Sequence, residues 1–415
     1  MSPLHSQDVS NPAIRQGYIP KNKLCKLSES DTTTMTVSHV EYLDWRNMSE
    51  CAVSLGEGIN VLWGMNAQGK SNILEGIYYF ARGRSFRGAK DRELIRFGCD
   101  FTRASLSFRR DGYENDTTLE AVIPKTGKKQ LSRNGAPLSS SSEMMGSFRA
   151  VLFCPAHLTM VTGGPLERRT FLDIAISQLS RTYLTYLRRY TKVLSERNML
   201  LKNAASGTRV TDTEWDVYAR QLAYYGSWIT AFRAEYSVYL SEAVARYFDG
   251  MTGGRETPEL TYTSHGLAED LPTPLSNLAE EPLKAQEVLY EKLTSNIDRE
   301  IIVGSTLWGI HKDDIRLALN GKEAKLYASQ GQQRSIVLSI KLAEAEISKK
   351  LGGEYPAILL DDVFSELDDS RRNYILGSLA GRQIIVTSCE PDIIPSNKSG
   401  DITFRHVKDG LILEE

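Results

Sequence analysis

The stretch Gly64-Met65-Asn66-Ala67-Gln68-Gly69-Lys70-Ser71 carries glycines, a lysine and a hydroxyl at the offsets of a phosphate-binding loop. It follows the apolar residues 59–63, which predict a buried strand, and precedes a helical pattern over 73–81. In that context the N–H groups around Gly69 and the helix N-terminus face one anion. The stretch therefore predicts a nucleotide site in which Lys70 neutralises β- and γ-phosphate charge and Ser71 ligates Mg²⁺.

Two carboxylates end an apolar run later in the chain, Ile358-Leu359-Leu360-Asp361-Asp362. A parallel strand delivers the side chain at its carboxyl end to the ligand crevice. We therefore expect Asp361 to coordinate Mg²⁺, directly or through water, and Asp362 to polarise the attacking water as the catalytic carboxylate, with Lys70 as its cationic counterpart. The alternative interpretation is a solvated strand end.

A glycine-centred polar turn, Ser329-Gln330-Gly331-Gln332-Gln333-Arg334, precedes an amphipathic helical pattern. Taken alone, such a turn is most simply a helix start that Ser329 caps. In the presence of the phosphate-binding loop and the carboxylate pair, it is better interpreted as a second anion-binding helix start. One chain is not expected to complete this site alone, which favours a dimer switch over a metabolic enzyme.

Composition narrows the classes of function. The 415 residues suffice for two or three domains, and 50 basic residues nearly balance 52 acidic ones, so any nucleic-acid surface must be a local patch. Five dispersed cysteines without a CxxC pair argue against a zinc site or a disulfide framework. No apolar run approaches the roughly 20 residues of a membrane span, and the N-terminus lacks a signal-peptide core. These features predict a soluble, cytoplasmic protein.

The chain order predicts an α/β domain interrupted by a helical insertion. Residues 1–34 are polar and unperiodic and are predicted to be a disordered extension. We expect residues 35–165 to form the first half of the α/β domain, 166–303 the helical insertion and 304–415 the second half.

Local patterns fill in these segments. Alternation over 101–123 predicts antiparallel strands, and Asn134-Gly135 predicts a hairpin turn. Apolar residues at helical spacing predict two long helices, at about 172–194 and 218–240, and a third over 283–299. Strands are expected to resume at 314–327.

With these motifs in this order, the chain resembles the ABC-type ATPase heads of the SMC family. It resembles more closely the RecF family of bacterial recombination mediators. The resemblance covers about residues 35–413. The segments that carry it are 64–71, Gly83-Arg84-Ser85-Phe86-Arg87, 91–98, Val151-Leu152-Phe153-Cys154-Pro155, 164–173, 190–202, 328–334 and 359–368.

The resemblance implies an ABC ATPase head with an antiparallel β subdomain and an inserted helical lobe. It assigns nucleotide contacts to Gly64, Met65, Asn66, Ala67, Gln68, Gly69, Lys70, Ser71, Asn72, Arg46 and Asn47. It assigns the signature turn that reaches the partner's γ-phosphate, and a dimer-facing aspartate, to Ser329, Gln330, Gly331, Gln332, Gln333 and Asp368.

The same resemblance implies ATP and Mg²⁺ as cofactors and an ATP-dependent homodimer on duplex and gapped DNA. It implies RecO and RecR as partners and, indirectly, RecA, in gap repair, replication-fork maintenance and SOS induction. ATP turnover is expected to be weak, DNA-stimulated and used as a switch.

This chain departs from the family pattern at three places. Gly309-Ile310-His311-Lys312-Asp313-Asp314 stands where the family usually has Gly-Pro-His-Arg-Asp-Asp. Ala156-His157 replaces an acidic pair, and Ser388-Cys389 follows a strand after which many ABC enzymes have a histidine. The departure at 156–157 puts the loop that senses the γ-phosphate in question.

Two basic stretches, at 82–96 and 181–202, are candidates for phosphate contacts that do not depend on DNA sequence. Their principal members are Arg84, Arg87, Arg92, Arg188, Arg189 and Lys192. The alternative for each stretch is the solvated face of a helix.

Other functions built on the same loop stay open at this stage. They are another SMC-like ATPase, a transporter ATPase subunit, a nuclease and a small-molecule kinase. DNA stimulation of ATP turnover without cleavage would separate these classes.

Overall fold

The computed structural model describes residues 33–113, 115–265, 267, 282–394 and 401–413. The chain divides into two compact units. A helical unit contains Gly164–Ser241 and Leu260–Arg316, and a head unit contains the segment that ends at Gly163, Glu242–Glu259 and the segment from Leu317 onward. Apart from Thr33 and Thr34, the extension predicted at 1–34 lies outside the described residues.

An antiparallel sheet of six strands, in the order β2-β1-β4-β5-β6-β7, forms one layer of the head unit. Its strands are β1 Met35–Trp45, β2 Met48–Ser54, β4 Phe101–Arg110, β5 Thr117–Pro124, β6 Gln130–Arg133 and β7 Ala136–Leu138. Burial alternates along β4 and β5, as expected for a sheet with one covered face. The predicted hairpin is confirmed, with positive φ at Asn134 and Gly135 between β6 and β7.

A second sheet of six strands, in the order β15-β14-β3-β13-β12-β8, positions the candidate site. Its strands are β3 Ile59–Trp63, β8 Ala150–Phe153, β12 Ala357–Asp361, β13 Ile384–Ser388, β14 Ile402–Lys408 and β15 Leu411–Leu413. All neighbours are parallel except β14 and β15. Every residue of β8, β12 and β13 is buried, which explains their continuous apolar sequences.

The third sheet is small and has the order β11-β10-β9. Its strands are β9 Pro258–Thr263, β10 Asp314–Leu319 and β11 Lys322–Glu323. The strand predicted over 314–327 ends early, because Ala324–Tyr327 is a short helix. The side chains of Leu326 and Tyr327 in this helix are exposed.

Eleven α-helices lie in the described ranges. They are α1 Lys70–Arg82, α2 Ser141–Met144, α3 Thr159–Thr162, α4 Pro165–Leu179, α5 Arg181–Ala205, α6 Asp212–Thr252, α7 Pro282–Ser295, α8 Ile297–Val303, α9 Ala324–Tyr327, α10 Gln330–Gly352 and α11 Asp369–Ser378. Among these, none is long and apolar enough to span a bilayer.

Two of the predicted helices are each divided in the structure. The first breaks at Ser180, whose hydroxyl accepts a hydrogen bond from Tyr183 N at 3.2 Å and so caps α5. The third breaks at Asn296 between α7 and α8. The spacing of apolar residues continues across both breaks, so periodicity alone predicts a single helix in each case.

The core of the head unit joins both of its large sheets. Ile73, Leu74 and Ile77 of α1 are completely buried in the same cluster as Leu62 of β3 and Leu359 of β12. The Gln383 side chain links the backbone of β1 to this layer, accepting from Val37 N at 2.8 Å and donating to Val37 O at 2.7 Å. This contact lies beside the amino ends of β3 and β13, at the opposite edge of the sheet from the phosphate-binding loop.

Candidate nucleotide site

The loop Gly64–Ser71 leaves β3 and enters α1, the arrangement that its sequence predicted. Gly64 has φ +152°, and a Cβ there would come within 2.2 Å of Val407 O. Gly69 is the N-cap of α1, with φ +112°. Both glycines are therefore required by backbone conformation, and Gly64 also by the close approach of β14.

Lys70 lies inside this loop and is largely buried. Its ammonium donates to Gly64 O at 2.6 Å and to Met65 O at 2.8 Å. The first turn of α1 has no side-chain cap and no acidic residue. The first N–H groups of a helix have no intrahelical acceptor, so they are left available for an anion beside the Lys70 ammonium.

One pocket gathers most of the predicted nucleotide contacts. Its lining consists of Asn47, Asn66, Ala67, Gln68, Gly69, Lys70, Ser71, Asn72, Arg87, Asp362, Thr387 and Cys389. Sequence reasoning had not placed Thr387 or Cys389 in the site and had assigned Arg87 to DNA. The signal that was available for Thr387 is topological, because parallel strands end at the same edge of a sheet.

One hydroxyl joins the Asp361 carboxylate to the backbone N–H of Asp362 at the end of β12. Thr387 lies directly opposite Asp361 on β13, and its Oγ1 donates to Asp361 Oδ1 at 3.0 Å. The same oxygen accepts from Asp362 N at 3.0 Å. Asp361 is buried, whereas Asp362 is exposed, lines the pocket and has φ +52°. The two carboxylates therefore differ in exposure, and their roles as metal ligand and as base stay predictions.

The oxygen atoms near the loop are of the kind that Mg²⁺ prefers. Ser71 and Asp362 line the pocket, and Asp361 is held beside them by Thr387. Mg²⁺ at nucleotide sites usually takes one or two protein oxygens together with phosphate oxygens. The residues present fit that ion, with Ser71 and Asp361 as the predicted protein ligands.

Cys389 extends the pocket beyond the predicted motif. Its thiol donates to Asn66 Oδ1 at 3.0 Å and lies 4.0 Å from the Lys70 ammonium. Gln68, in the middle of the loop, is fixed from the other side, because its Oε1 accepts from Asp409 N and its O accepts from Gly410 N. The turn after β14 therefore supports the loop, which the sequence did not indicate.

Arg46 and Asn47 have different surroundings. The Arg46 guanidinium pairs with the buried Glu75 carboxylate at 2.6 Å and 2.9 Å. Asn47 accepts from Asn72 Nδ2 at 2.8 Å, and Arg87 donates to Asn72 Oδ1 at 2.9 Å. This chain of contacts forms one rim of the pocket. Arg46 belongs to a neighbouring hollow with Arg87, and its contact with a nucleotide base stays a prediction.

The turn at 329–334, which is predicted to be the signature turn, is a capped helix N-terminus. Ser329 Oγ accepts from Gln332 N at 3.3 Å, and Gln332 Oε1 accepts from Ser329 N at 2.6 Å. Gln332 also donates to Glu256, and Gln333 donates to Ala328 O at 3.0 Å. Ser329 and Gln330 are exposed. Residues 329–333 are all described by the structure, and none of them lines the pocket that holds Lys70.

Asp368 starts another helix. Its carboxylate caps α11 by accepting from Arg371 N at 2.9 Å and pairs with Arg371 Nη1 at 2.7 Å. These contacts, led by the backbone hydrogen bond, hold the pKa of Asp368 below its usual value. Its side chain is half exposed, so the carboxylate remains accessible.

The predicted basic stretches divide into exposed and buried members. Arg84 and Arg92 are exposed in the head unit, as are Arg188, Arg189 and Lys192 in the helical unit. Arg197 was included in the second stretch, and that interpretation is wrong. Its guanidinium is completely buried and pairs with Glu300 at 2.7 Å.

The departure Gly309–Asp314 lies in the helical unit and has a structural role there. Asp313 is completely buried and accepts from Arg233 Nη1 at 3.1 Å, Ser264 Oγ at 3.1 Å and His265 N at 3.0 Å. His311 bonds to the Tyr190 hydroxyl at 2.9 Å, and burial lowers the pKa of this histidine to about 4. A buried network of this kind depends on each member being paired.

The departure Ala156-His157 lies in the head unit, after β8. The His157 ring lines an apolar hollow with Leu338 of α10 and Val363. Its Nδ1 atom has no partner among the described residues, and burial keeps the pKa of His157 well below its usual value. A neutral imidazole therefore occupies the place of an acidic residue in the family pattern.

Comparison with known proteins agrees with this architecture. A family model described as the RecF/RecN/SMC N terminal domain matches residues 36–407. The Smc head domain of Pyrococcus furiosus has a TM-score of 0.53 at 15% identity, covering 91% of this chain and 95% of its own, which is a likeness of fold alone. The fold and the site thus define an ABC-type ATPase head of the SMC kind with an inserted helical lobe, and the predicted fold class is confirmed.

More similar proteins narrow the class. The DNA replication and repair protein RecF of Clostridium novyi is 39% identical over 353 residues, covering 85% of this chain and 92% of its own length. That of Ruminiclostridium cellulolyticum is 36% identical, covering 91% and 99%. A solved structure of the recombination mediator protein RecF-ATP in the RecFOR pathway has a TM-score of 0.83 at 32% identity, covering 93% and 99%. The chain belongs to the RecF family.

Proposed function

We propose that this protein is an ATP-dependent, DNA-binding recombination mediator that acts in gap repair, replication-fork maintenance and SOS induction. ATP, with Mg²⁺, would join two copies into a dimer on duplex DNA and at single-strand/duplex junctions. Working with RecO and RecR in the cytoplasm, the dimer would help to load RecA. Slow, DNA-stimulated hydrolysis would then release the dimer.

One observation carries this proposal. The pocket around Lys70 contains the loop and the Asp362 carboxylate but no residue of the turn at Ser329, which is exposed and lies at the start of α10. A nucleotide in this pocket would leave its γ-phosphate side open to a second copy. ATP would favour the dimer because only the dimer makes both sets of contacts.

Each protein group then has a defined task. The Lys70 ammonium and the uncapped amides of α1 would hold phosphate oxygens without a change of backbone. Mg²⁺ would neutralise charge between the phosphates when bound. The exposed Asp362 carboxylate would orient and polarise the attacking water, and Thr387 would keep Asp361 in position.

Sedimentation of the full chain with ADP, with ATP and with ATP plus gapped DNA tests the proposal. We expect a monomer with ADP, a dimer with ATP and a larger complex when gapped DNA is added. A protein that stays monomeric with saturating ATP would refute the composite site. ATP turnover that DNA stimulates without DNA cleavage would also exclude the nuclease, kinase and transporter alternatives.

Salt dependence tests the DNA contacts separately. If phosphates are neutralised, affinity falls by roughly 0.9 log units per log unit of salt for each phosphate contact. Charge reversal at Arg188 and Arg189, which are exposed on α5, should weaken all DNA sequences alike and flatten this slope. Wild-type affinity and slope in the double variant would transfer the DNA contacts to the stretch that includes Arg84 and Arg92.

A further inference from the structure

Four aromatic side chains meet on the helical unit, where α5 and α6 pack against each other. The Tyr186 ring on α5 lies 6.0 Å from Tyr224, 5.7 Å from Tyr225 and 6.4 Å from Trp228 on α6. We call this group the aromatic platform. Its rings are tilted or edge-on to one another, so Tyr186 is not stacked face to face on any of the other three.

The aromatic platform is not part of the buried core. Tyr183 and Tyr190, on the same helix as Tyr186, are completely buried. All four members of the platform, in contrast, remain partly exposed. Side chains of this size contribute most to stability when they are fully covered, so their exposure points to a second use of this surface.

One arginine contacts the platform, and further basic residues lie on the same helix. Arg189 donates from Nη1 to the Tyr225 hydroxyl at 3.1 Å, and its guanidinium carbon lies 5.9 Å from the centre of that ring. Arg188 and Lys192 are exposed on the same helix, and Lys192 lies 3.8 Å from the Glu196 carboxylate. The sequence has no acidic residue in 181–195 or in 217–234, the stretches that carry the platform. The basic residues of these two stretches therefore outnumber the acidic ones, which favours an anionic ligand.

We propose that the aromatic platform binds unpaired bases of single-stranded DNA, with Arg188, Arg189 and Lys192 contacting phosphates of the same strand. Partly exposed aromatic rings beside cationic side chains are suited to single strands, because every base has a face that stacks. Bases in a duplex are already stacked on each other and do not offer that face. The platform would thus distinguish the single-stranded arm of a junction from its duplex arm. This inference rests on the proposed DNA-binding function.

A protein partner is the competing occupant, since tyrosine, tryptophan and arginine are also common at protein interfaces. The absence of acidic residues from both helical stretches favours a polyanion. DNA supplies negative charge and flat apolar faces together, which a protein surface does only in special cases.

The experiment compares two ligands for the full-length protein with ATP. One is a blunt duplex, and the other is the same duplex with a short single-stranded extension. Wild type should prefer the extended duplex. Tyr225→Leu should lose at least about fivefold of that preference, the lower end of a single base–aromatic stack. Tyr225→Phe retains the ring and should retain the preference.

Two controls make the result specific. Tyr290 is also paired with an arginine, Arg220, but its hydroxyl bonds to Asp216 at 2.5 Å, so Tyr290→Leu removes a tyrosine from a surface that an acid neutralises. This variant should bind both ligands as wild type does. An extension made of abasic residues keeps the phosphates but lacks bases, and wild type should bind it no better than the blunt duplex.

The proposal fails if the abasic extension binds as tightly as the natural one, or if Tyr225→Leu keeps the full preference. It also fails if Tyr225→Leu loses binding to RecO or RecR while the DNA preference is unchanged, since the platform is then a protein interface. Binding to the blunt duplex reports on the proposed function independently. If the wild-type protein does not bind the blunt duplex, the proposed DNA-binding function is refuted, and not only the role of the platform.

Discussion

Two helices of the head unit begin at glycine-containing polar turns. The turn before α1 has no side-chain cap for its backbone amides, whereas the turn before α10 has one. At the start of α1, Gly69 offers no side chain, and the first turn carries no cap. At the start of α10, Ser329 and Gln332 satisfy each other's backbone N–H groups. The first helix start leaves its donors to a ligand, whereas the second one already has acceptors from its own chain.

The two helix starts also differ in whether one chain contains a complete binding pocket beside them. The pocket at α1 has a buried lysine and the Asp362 carboxylate, and the Thr387 hydroxyl holds the neighbouring Asp361 carboxylate, so one chain contains its binding chemistry. The start of α10 contributes no residue to the α1 pocket, and the cation of its turn, Arg334, pairs with Glu366 at 3.2 Å. Any role of the turn at Ser329 in nucleotide binding therefore requires a nucleotide bound to a second copy of the chain.

The largest expected effect is at the first helix start. Lys70→Ala should abolish ATP binding, a loss of at least about a hundredfold, because the loop would then offer the phosphate charge only neutral amides. Equilibrium dialysis of ATP measures it directly. Lys128→Ala, which removes an exposed lysine of the same unit, should bind ATP as wild type does. Retained affinity in Lys70→Ala would show that α1 does not hold the phosphates.

The next effect is at the second helix start. Ser329→Arg should leave ATP affinity of the monomer intact but prevent dimerisation, because a long cation would fill the exposed turn that faces the partner. Sedimentation with ATP measures the assembly. Ser329→Ala is the matched control, which removes the cap for about 1 kcal/mol of stability without adding bulk. If Ser329→Arg dimerises normally, or loses ATP as a monomer, the contrast between the two turns has been misjudged.

The third test concerns the carboxylate that completes the α1 pocket. Asp362→Asn preserves the shape of the side chain but cannot act as a base, so hydrolysis should slow by about a hundredfold. The ATP-bound dimer should persist for longer on DNA as a result. Single-turnover hydrolysis and dimer lifetime are measured together. An unchanged rate would transfer the catalytic role to another group in the pocket.

The parts that sequence predicted are those in which one residue type is required by backbone geometry or burial. Gly64 and Gly69 have positive φ, Asn134 and Gly135 form the hairpin, and β12 is buried along its whole length. Each of these constraints leaves a local pattern. The predicted strand, loop and helix of the phosphate site are confirmed for the same reason.

The parts that sequence missed depend on partners distant in the chain. Nothing around Arg46 indicates that Glu75 holds its guanidinium, and nothing around Arg197 indicates that Glu300 buries it. Cys389 enters the pocket only because β13 lies beside β3 in the sheet. The break at Ser180 was missed for a different reason, since one capping hydroxyl interrupts a helix without altering the spacing of its apolar residues.

The smallest expected effect is at a third helix start, that of α11. Asp368 caps α11 with a carboxylate, which holds its pKa below the usual value. Asparagine caps nearly as well, so Asp368→Asn should change the free energy of unfolding by only a few tenths of a kcal/mol, and Asp368→Ala by about 1 kcal/mol. Denaturant unfolding of the ADP-bound monomer measures both.

The pH dependence of that stability has a defined sign. Because the folded pKa of Asp368 is depressed, its charged form contributes stability above about pH 3.9, the unfolded value, and loses it as pH falls through the folded pKa. The contribution is small, since the side chain is half exposed and solvent screens its pair with Arg371. Asp368→Asn should remove this acid dependence while keeping the monomer folded. A much larger loss in ATP-dependent dimerisation than in monomer stability would show that this carboxylate, unlike the Ser329 hydroxyl, serves the partner more than its own helix.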